Sequence, residues 1–458
     1  METLELIAQK YSDYAWGLPL LILLIGGGIY LLILSRFLPF RFIGHAVNVL
    51  RGKYDNPDDP GEISHFQALS TALASTIGMG NIAGVAVAIN IGGPGAMFWM
   101  WISAIIGMST KFFTCTLAVM YRGKDSVGNI QGGPMYFIME GLGKSWKPLA
   151  VFFSVCALIG ALPVFNVNQL KQAINDILLV PNGIEVSFMS NLCIGLVLVA
   201  ITAVVILGGL NRISKTAEKL VPSMVIIYFV AVVFILFAYR SEVPKYLMLM
   251  ITDAFDANYF KKEEFLGGVL GGLILLGIRR GAFSNEAGIG TAPMAHGASK
   301  TSEPVREGLV AMLGPFIDTI LVCTFTAIVI ILSGAYLEDS SGIVMTLSAF
   351  ERTLFGWGDI LLMVIVTAFA LSTLFTYSYY GVKSLSFLTN AKIGKLYNWY
   401  FVIMIVFAAV ASLELVKNLI DLSYALMVIP NMIAVLLLAP KVNVELKKYI
   451  IKLKDGRS

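Results

Sequence analysis

The sequence predicts an all-α polytopic membrane protein of about eleven transmembrane helices, arranged as two five-helix repeats of opposite orientation behind one extra N-terminal helix. Three observations carry this prediction: the composition, the spacing of the apolar runs, and two runs that glycine and charge interrupt. Of 458 residues, 57% are hydrophobic and 14% charged, with a mean hydropathy of +0.80. A soluble protein is about 45 to 50% apolar and about 25% charged, so water-facing domains could not hide this much apolar surface. Length alone would allow roughly three domains, yet no long polar stretch serves as a linker, and one membrane domain (1–458) fits better.

Apolar runs of the length that a bilayer core requires, about 20 residues, fall at 17–36, 66–91, 95–121, 148–177, 186–209, 218–239, 265–292, 307–334, 357–381, 397–414 and 419–440. The acidic N-terminus has no basic n-region and no A-x-A site follows the first run, so that run is expected to be a retained helix. With the first span running inward, the inner loops and tail, counting Arg36 and Lys219 at span ends, hold 22 of the 33 Lys and Arg residues. The outer segments hold seven (Lys10, Arg240, Lys245, Lys261, Lys262, Arg352 and Lys417). The positive-inside rule then places the N-terminus outside and the C-terminus in the cytoplasm. The tail lysines Lys447, Lys448, Lys452 and Lys454 read as a solvated face toward membrane lipid. A net charge of +4 gives no reason to expect nucleic acid. Cys115, Cys156, Cys193 and Cys323 lie in apolar runs and read as small buried residues; His45, His65 and His296 are scattered outside the runs and suggest no metal site.

Two spans should break. The second carries Gly78-Met79-Gly80-Asn81 at mid-membrane, and each glycine weakens a helix by about 1 kcal/mol relative to alanine. The seventh is punctuated by Gly277, Gly281, Gly288, Gly290 and Pro293 and also carries Arg279, Arg280, Asn285 and Glu286. Small residues also permit close helix packing, the plainer reading of either motif alone. Five spans begin with each interrupted one, and five is odd, so the second block enters from the opposite side. Paired broken helices in inverted repeats meet at the midplane and form substrate and ion sites, which favours a transporter. The division expected is an extra helix and inner loop (1–63), a first repeat (64–240), an inverted second repeat (265–440) and a basic tail (441–458).

The run Gly92-Gly93-Pro94-Gly95-Ala96-Met97-Phe98-Trp99-Met100-Trp101-Ile102-Ser103-Ala104 resembles a signature of the alanine or glycine:cation symporter family, the sodium:alanine symporters. So do Gly61 to Ser64, Gly132 to Tyr136, Gly281 to Gly288, Gly314 to Thr319 and Ser378 to Gly381. The resemblance implies a fold of the leucine-transporter type and symport of a small neutral amino acid, alanine or glycine, with sodium as the co-transported ion, in the plasma (inner) membrane of a prokaryote. It further implies that the amides of Met79 and Gly80 meet the substrate carboxylate, and that Thr76, Gly78, Gly277, Ile278, Gly281 and Phe283 line the same site. By similarity, the carbonyls of Ala74, Ile77 and Phe369 with the hydroxyls of Ser372 and Thr373 form one sodium site. A second, beside the carboxylate, would use Thr76, Asn81 and Asp318. Met79 and Tyr377 depart from the residues expected of relatives, a smaller or polar one and a Trp.

Some of these positions read independently of the resemblance. Phe369, Ser372 and Thr373 lie at i, i+3 and i+4 on one helix face, although hydroxyls there also bond back to their own helix. Asp318 could instead pair with Arg279 or Arg280. Phe165, Asn166 and Gln169 belong to a fourth span that should face the centre; Asn166 and Gln169 share a face suited to a substrate ammonium, or to gluing helices together. At Gly80, an added Cβ is expected to obstruct both a left-handed backbone and the ligand. No nucleophile and base or H-E-x-x-H supports an intramembrane enzyme, and a channel would draw a selectivity ring from oligomeric symmetry, whereas internal halves imply a functional monomer. Proton coupling through Asp318 or Glu286 is the alternative to sodium.

Overall fold

The structure, a computed structural model, describes residues 2–256, 268–338, 340, 342–354, 356–411 and 414–455. Lys261, Lys262, the start of the expected seventh span at 265–267, residues 412 and 413 of the tenth and 456–458 of the tail lie outside the described residues. Among those described, nine helices are long and apolar enough to cross a bilayer: Ile7–Leu34, Ala96–Met120, Lys144–Asn182, Phe188–Ile206, Gly209–Ala238, Pro304–Leu332, Gly358–Leu388, Ala391–Val410 and Val416–Lys454. A tenth crossing is the pair His65–Thr76 and Gly80–Gly92, bent by 53° at its break. The remaining expected run corresponds to Gly268–Asn285, 18 residues long, where Arg279 and Arg280 dilute the apolarity. Each of the eleven apolar runs therefore has a helical counterpart.

Burial sorts the spans into a centre and a periphery. In Ala96–Met120, 89% of the most apolar window is buried in protein, against 22% in Phe188–Ile206 and 33% in Gly209–Ala238. The third span is thus the hub, and the fifth and sixth present Phe188, Met189, Val204, Phe229, Phe234 and Phe237 outward, the apolar face that lipid requires. Cys193 belongs to this outer face and is exposed, contrary to the reading of all four cysteines as buried; Cys115, Cys156 and Cys323 are buried.

Local chemistry starts and stops the second span. Ser64 caps it, its Oγ accepting from Gln67 N at 3.1 Å while Gln67 Oε1 accepts from Ser64 N at 3.0 Å, the reciprocal box that satisfies orphan amides at a helix start. Gln67 Nε2 also donates to Glu218 Oε2 at 2.9 Å, tying this cap to the sixth span. At the same end, two histidines 231 positions apart in the chain are brought onto one carboxylate. Glu307 receives His296 Nδ1 at 2.5 Å and His65 Nδ1 on its other oxygen, all three side chains being at most 2% exposed. This clamp joins the start of the second span, the end of the seventh and the start of the eighth, and nothing in the spacing of the histidines announced it.

Removing one partner of a buried, hydrogen-bonded charged pair costs about 3 to 5 kcal/mol, because the other is left uncompensated. Glu307→Ala is therefore expected to melt well below the parent in detergent, with His45→Ala, where the ring hydrogen-bonds to the neutral Tyr449 hydroxyl at 2.8 Å and packs on Phe42 and Tyr54, much closer to it. Equal melting of the two variants would remove the clamp from the fold's supports.

Candidate functional site

The second span breaks where a side chain takes over its hydrogen bonding. Ile77 leaves the helix with ψ 94°, and helical structure resumes at Gly80. Across the gap Asn81 Oδ1 accepts from Gly78 N at 2.9 Å, and Asn81 N donates to Gly78 O at 3.2 Å. The amides of Met79 and Gly80 find no protein acceptor among the described residues. They open a half-helix, where unpaired N–H groups and the positive end of the helix dipole favour an anion.

The seventh span breaks later than its first glycines suggested. Helix runs to Asn285, then Glu286 (φ +54°), Gly288 (φ +89°) and Gly290 (φ +103°) carry a non-helical turn, closed by Ile289 N donating to Glu286 O at 3.2 Å, to Ala292–His296. Pro293 sits in the first turn of that short helix, where its missing N–H costs nothing. The stretch is satisfied from its neighbours: Asn285 Oδ1 accepts from Ala287 N at 3.0 Å, and Asn431 Nδ2 donates to Gly288 O at 2.8 Å.

Between the two breaks lies a partly open cleft of about 410 Å³. Of the residues expected at the substrate, Thr76, Gly78, Met79, Gly80, Phe165, Asn166 and Phe283 line it. Phe165 and Phe283 meet edge to face, with centroids 6.1 Å apart. Four expected residues do not line it. Gln169 lies a turn beyond Asn166, its Oε1 3.8 Å from where a Cβ on Gly342 would stand. Gly277 and Gly281 face the third span: a Cβ there would come within 2.4 Å of Trp99 Cβ and 2.8 Å of Ser103 Cβ, respectively. Ile278 is held in the same contact, its carbonyl accepting from Ser103 Oγ at 3.3 Å. The small-residue packing reading is the right one for these three, because a helix that still has its regular turn there presents that face to its neighbour. Ser75, Leu162, Ser284, Glu286, Thr373, Tyr377, Ile420 and Tyr424 complete the lining. The eleventh-span pair Ile420 and Tyr424 carried no sequence signal, lying in an unbroken apolar run.

The expected sodium ligands gather at the second span's break. A Cβ on Gly78 would stand 2.6 Å from Thr373 Oγ1 and 3.8 Å from Phe369 O, so glycine is required there for close approach of the ninth span. Ala74 and Ile77 are buried beside it. Ser372 Oγ and Thr373 Oγ1 both donate to Phe369 O, at 2.8 and 3.1 Å, so back-bonding and proximity to the break hold together. Gly80 differs from the expectation made for it: its φ is not positive, and a Cβ would meet only Ser284 Cα, at 3.8 Å.

Asp318 is paired with neither Arg279 nor Arg280. Its carboxylate is fully buried and accepts from Asn81 Nδ2 at 2.7 Å, Ser284 Oγ at 2.8 Å and Thr319 Oγ1 at 2.7 Å. Arg279 instead reaches Asp13 at 3.0 Å and stacks over Trp16, on the far side of its helix. Thr76, the third residue of the expected second ion set, bonds back to Ala72 O at 3.4 Å. Asp318 thus fastens Asn81, which follows one break in the chain, to Ser284, which precedes the other.

The family model described as the Sodium:alanine symporter family matches residues 1–458. The chain belongs to that family. Among its relatives are the sodium/alanine symporter AgcS of Methanococcus maripaludis, 39% identical over 454 residues covering 97% of this chain and 96% of the relative, and the probable sodium/glutamine symporter GlnT of Bacillus subtilis, 37% identical over 459 residues covering 100% and 93%. In fold, this sodium:alanine symporter family member is similar to the crystal structure of MhsT in complex with L-phenylalanine, with a TM-score of 0.56 and 13% identity over 82% of this chain and 89% of that one. The leucine-transporter type of fold is therefore the one adopted, and the protein is a transporter and not an enzyme.

Two glycines test the two kinds of close contact in this symporter-family chain. Gly277→Ala overpacks the contact with Trp99 and is expected to cost about 1 to 3 kcal/mol, read as a lowered melting temperature in detergent. Gly80→Ala has room for its methyl and is expected to melt with or slightly above the parent. If Gly80→Ala melts lower than Gly277→Ala, the packing assigned to the two positions is reversed.

Proposed function

We propose that this chain imports a small neutral amino acid, alanine or glycine, together with sodium by alternating access. The observation that carries the reading is the pair of unpartnered amides of Met79 and Gly80 at a half-helix start on the cleft, which suits a substrate carboxylate. Asn166, its Oδ1 3.8 Å from where a Cβ on Gly78 would stand, offers an amide oxygen to the ammonium. With the Phe165 and Phe283 rings on the lining, the reading is of a short side chain, of either hand.

Sodium is favoured by the neutral oxygens around the break, the carbonyls of Ala74, Ile77 and Phe369 and the hydroxyls of Ser372 and Thr373, since hard cations take oxygen ligands. A second ion beside the carboxylate would draw on Thr76, Asn81 and Asp318. The AgcS and GlnT relatives, named as a sodium/alanine symporter and a probable sodium/glutamine symporter, support the same coupling. Proton coupling is the competing reading, motivated by Glu286 on the cleft wall. The proposal includes repeats at 64–240 and 265–440, an outside N-terminus supported by the loop charges, a prokaryotic inner membrane, and a working monomer.

In proteoliposomes, alanine uptake is expected to stop when choline replaces sodium at fixed pH; uptake that follows a pH gradient without sodium would make the proton the coupling ion. Ser372→Ala with Thr373→Val is expected to abolish sodium-driven uptake while the protein inserts and melts normally, and an unchanged sodium dependence would sink the ligand assignment. Labelled alanine uptake is expected to be competed by glycine and not by equimolar leucine.

A further inference from the structure

Two cavities stand end to end in the molecule, and two tyrosines wall both of them. The first is the cleft between the broken spans; the second, a narrow gap with no room for a water in this closed arrangement, is bounded by Ala157, Gly160, Met294 and Met427 among others. Tyr377 and Tyr424 line each. The order is the same along every helix involved. The ninth span passes from Thr373 on the cleft through Tyr377 to Tyr380 on the second cavity, and the eleventh from Ile420 through Tyr424 to Met427. After the seventh span's break, the chain passes from Ser284 and Glu286 to Thr291 and Met294, two residues before the His296 of the clamp. The fourth span, running the other way, reaches the second cavity at Ala157 and the cleft at Leu162 and Phe165. The second cavity therefore lies about one helical turn nearer the clamp and the basic tail.

What separates the cavities is a hydrogen-bonded partition. Tyr377 OH donates to Glu286 Oε1 at 2.8 Å, Tyr424 OH donates to Tyr377 OH, and Thr291 Oγ1 donates to Glu286 Oε2. Three spans meet on this one carboxylate, and Tyr377, Tyr424 and Glu286 are buried. Glu286 reaches the position from a left-handed backbone at φ +54°, a conformation disfavoured for a side chain with a Cβ and retained where surroundings impose it.

We propose that Tyr377, Tyr424 and Glu286 form the inner gate of the transport route, a partition that must part before substrate leaves the cleft for the second cavity and the tail side. The proposal rests on the transport reading and adds to it the place where the path is closed. Hydroxyl-to-carboxylate bonds suit a gate, because water or a passing polar group replaces them at small net cost. Interdigitated aliphatic side chains in the same place would open only by leaving voids.

The gate is testable without substrate or sodium, so its failure is separable from failure of the alanine reading. In a chain with Cys156, Cys193 and Cys323 replaced by alanine and Cys115 left as a fully buried reference, a cysteine is placed at Ala157 on the second cavity, and in a second chain at Leu162 on the cleft. Maleimide labelling of the purified protein in detergent is followed at each site, with and without Tyr377→Phe and Tyr424→Phe. The gate predicts that Ala157→Cys labels slowly with both tyrosines present and at least about ten-fold faster with both phenylalanines, the population shift expected from losing the combined net contribution of the Tyr377 and Tyr424 hydrogen bonds. Leu162→Cys should label at one rate in both backgrounds. An unchanged Ala157→Cys rate overturns the gate and leaves the tyrosines as substrate contacts; labelling that spreads to Cys115 overturns it too, by showing that the hydroxyls hold the fold as a whole.

Discussion

A polypeptide inside a bilayer has no water to satisfy its backbone, so every N–H and C=O must be matched within the protein. In this chain two helices break that rule at mid-depth, and the rest of the architecture is arranged so that they can. The gap at Ile77 to Met79 is bridged by Asn81, whose two side-chain atoms serve both Gly78 N and the Asp318 carboxylate. The longer gap at Glu286 to Thr291 draws on Asn285, Asn431 and Thr291. The amides of Met79 and Gly80, which find no protein acceptor among the described residues, belong to residues that line the cleft. The third span is buried because the broken helices need a continuous protein wall behind them, and the fifth and sixth are apolar outward because they shield the assembly from lipid.

Asp318 gives this arrangement its mechanical unity. A buried carboxylate held by three hydrogen-bond donors is stable in a dry interior only while those donors stay in place. Two of those donors, Asn81 and Ser284, come from the two broken spans, and the third, Thr319, is its neighbour in the eighth. The residue thus acts less as a counter-charge for arginine than as a fixed pin between the breaks. Arg279, placed on the opposite face of its helix with Asp13 and Trp16, belongs to the junction between the seventh span and the N-terminal helix.

Much of this was legible in the amino acids, and the reason is that lipid makes composition speak directly about position. Eleven apolar runs became eleven helices, and Gly78-Met79-Gly80-Asn81 became a break at those residues. Legibility ended where direction around a helix axis mattered. Gly277 and Gly281 have the same chemistry as Gly78, yet they serve packing because the seventh helix is still intact there and shows that face to Trp99 and Ser103. Gln169 shares a face with Asn166, but one turn of rise takes it past the end of the cleft. Tyr424 meets Glu286 138 positions away in the chain and His65 meets Glu307 242 positions away, contacts that no local pattern records.

The last helix, Val416–Lys454, is 39 residues long, about 58 Å at the usual rise, or nearly twice the thickness of a bilayer core. Roughly half of it therefore stands clear of the lipid. Its far end is not free, since the Tyr449 hydroxyl meets His45 at 2.8 Å and Lys452 meets Glu303 at 2.6 Å. A rod held in the membrane at Tyr424 and engaged at its tip is a lever. A tilt of about 5° at the cavity would swing a point ~38 Å along the rod, at Tyr449, by ~3 Å. Rearrangement inside the membrane would thus be read out, magnified, in the loops joining the first span to the second and the seventh to the eighth.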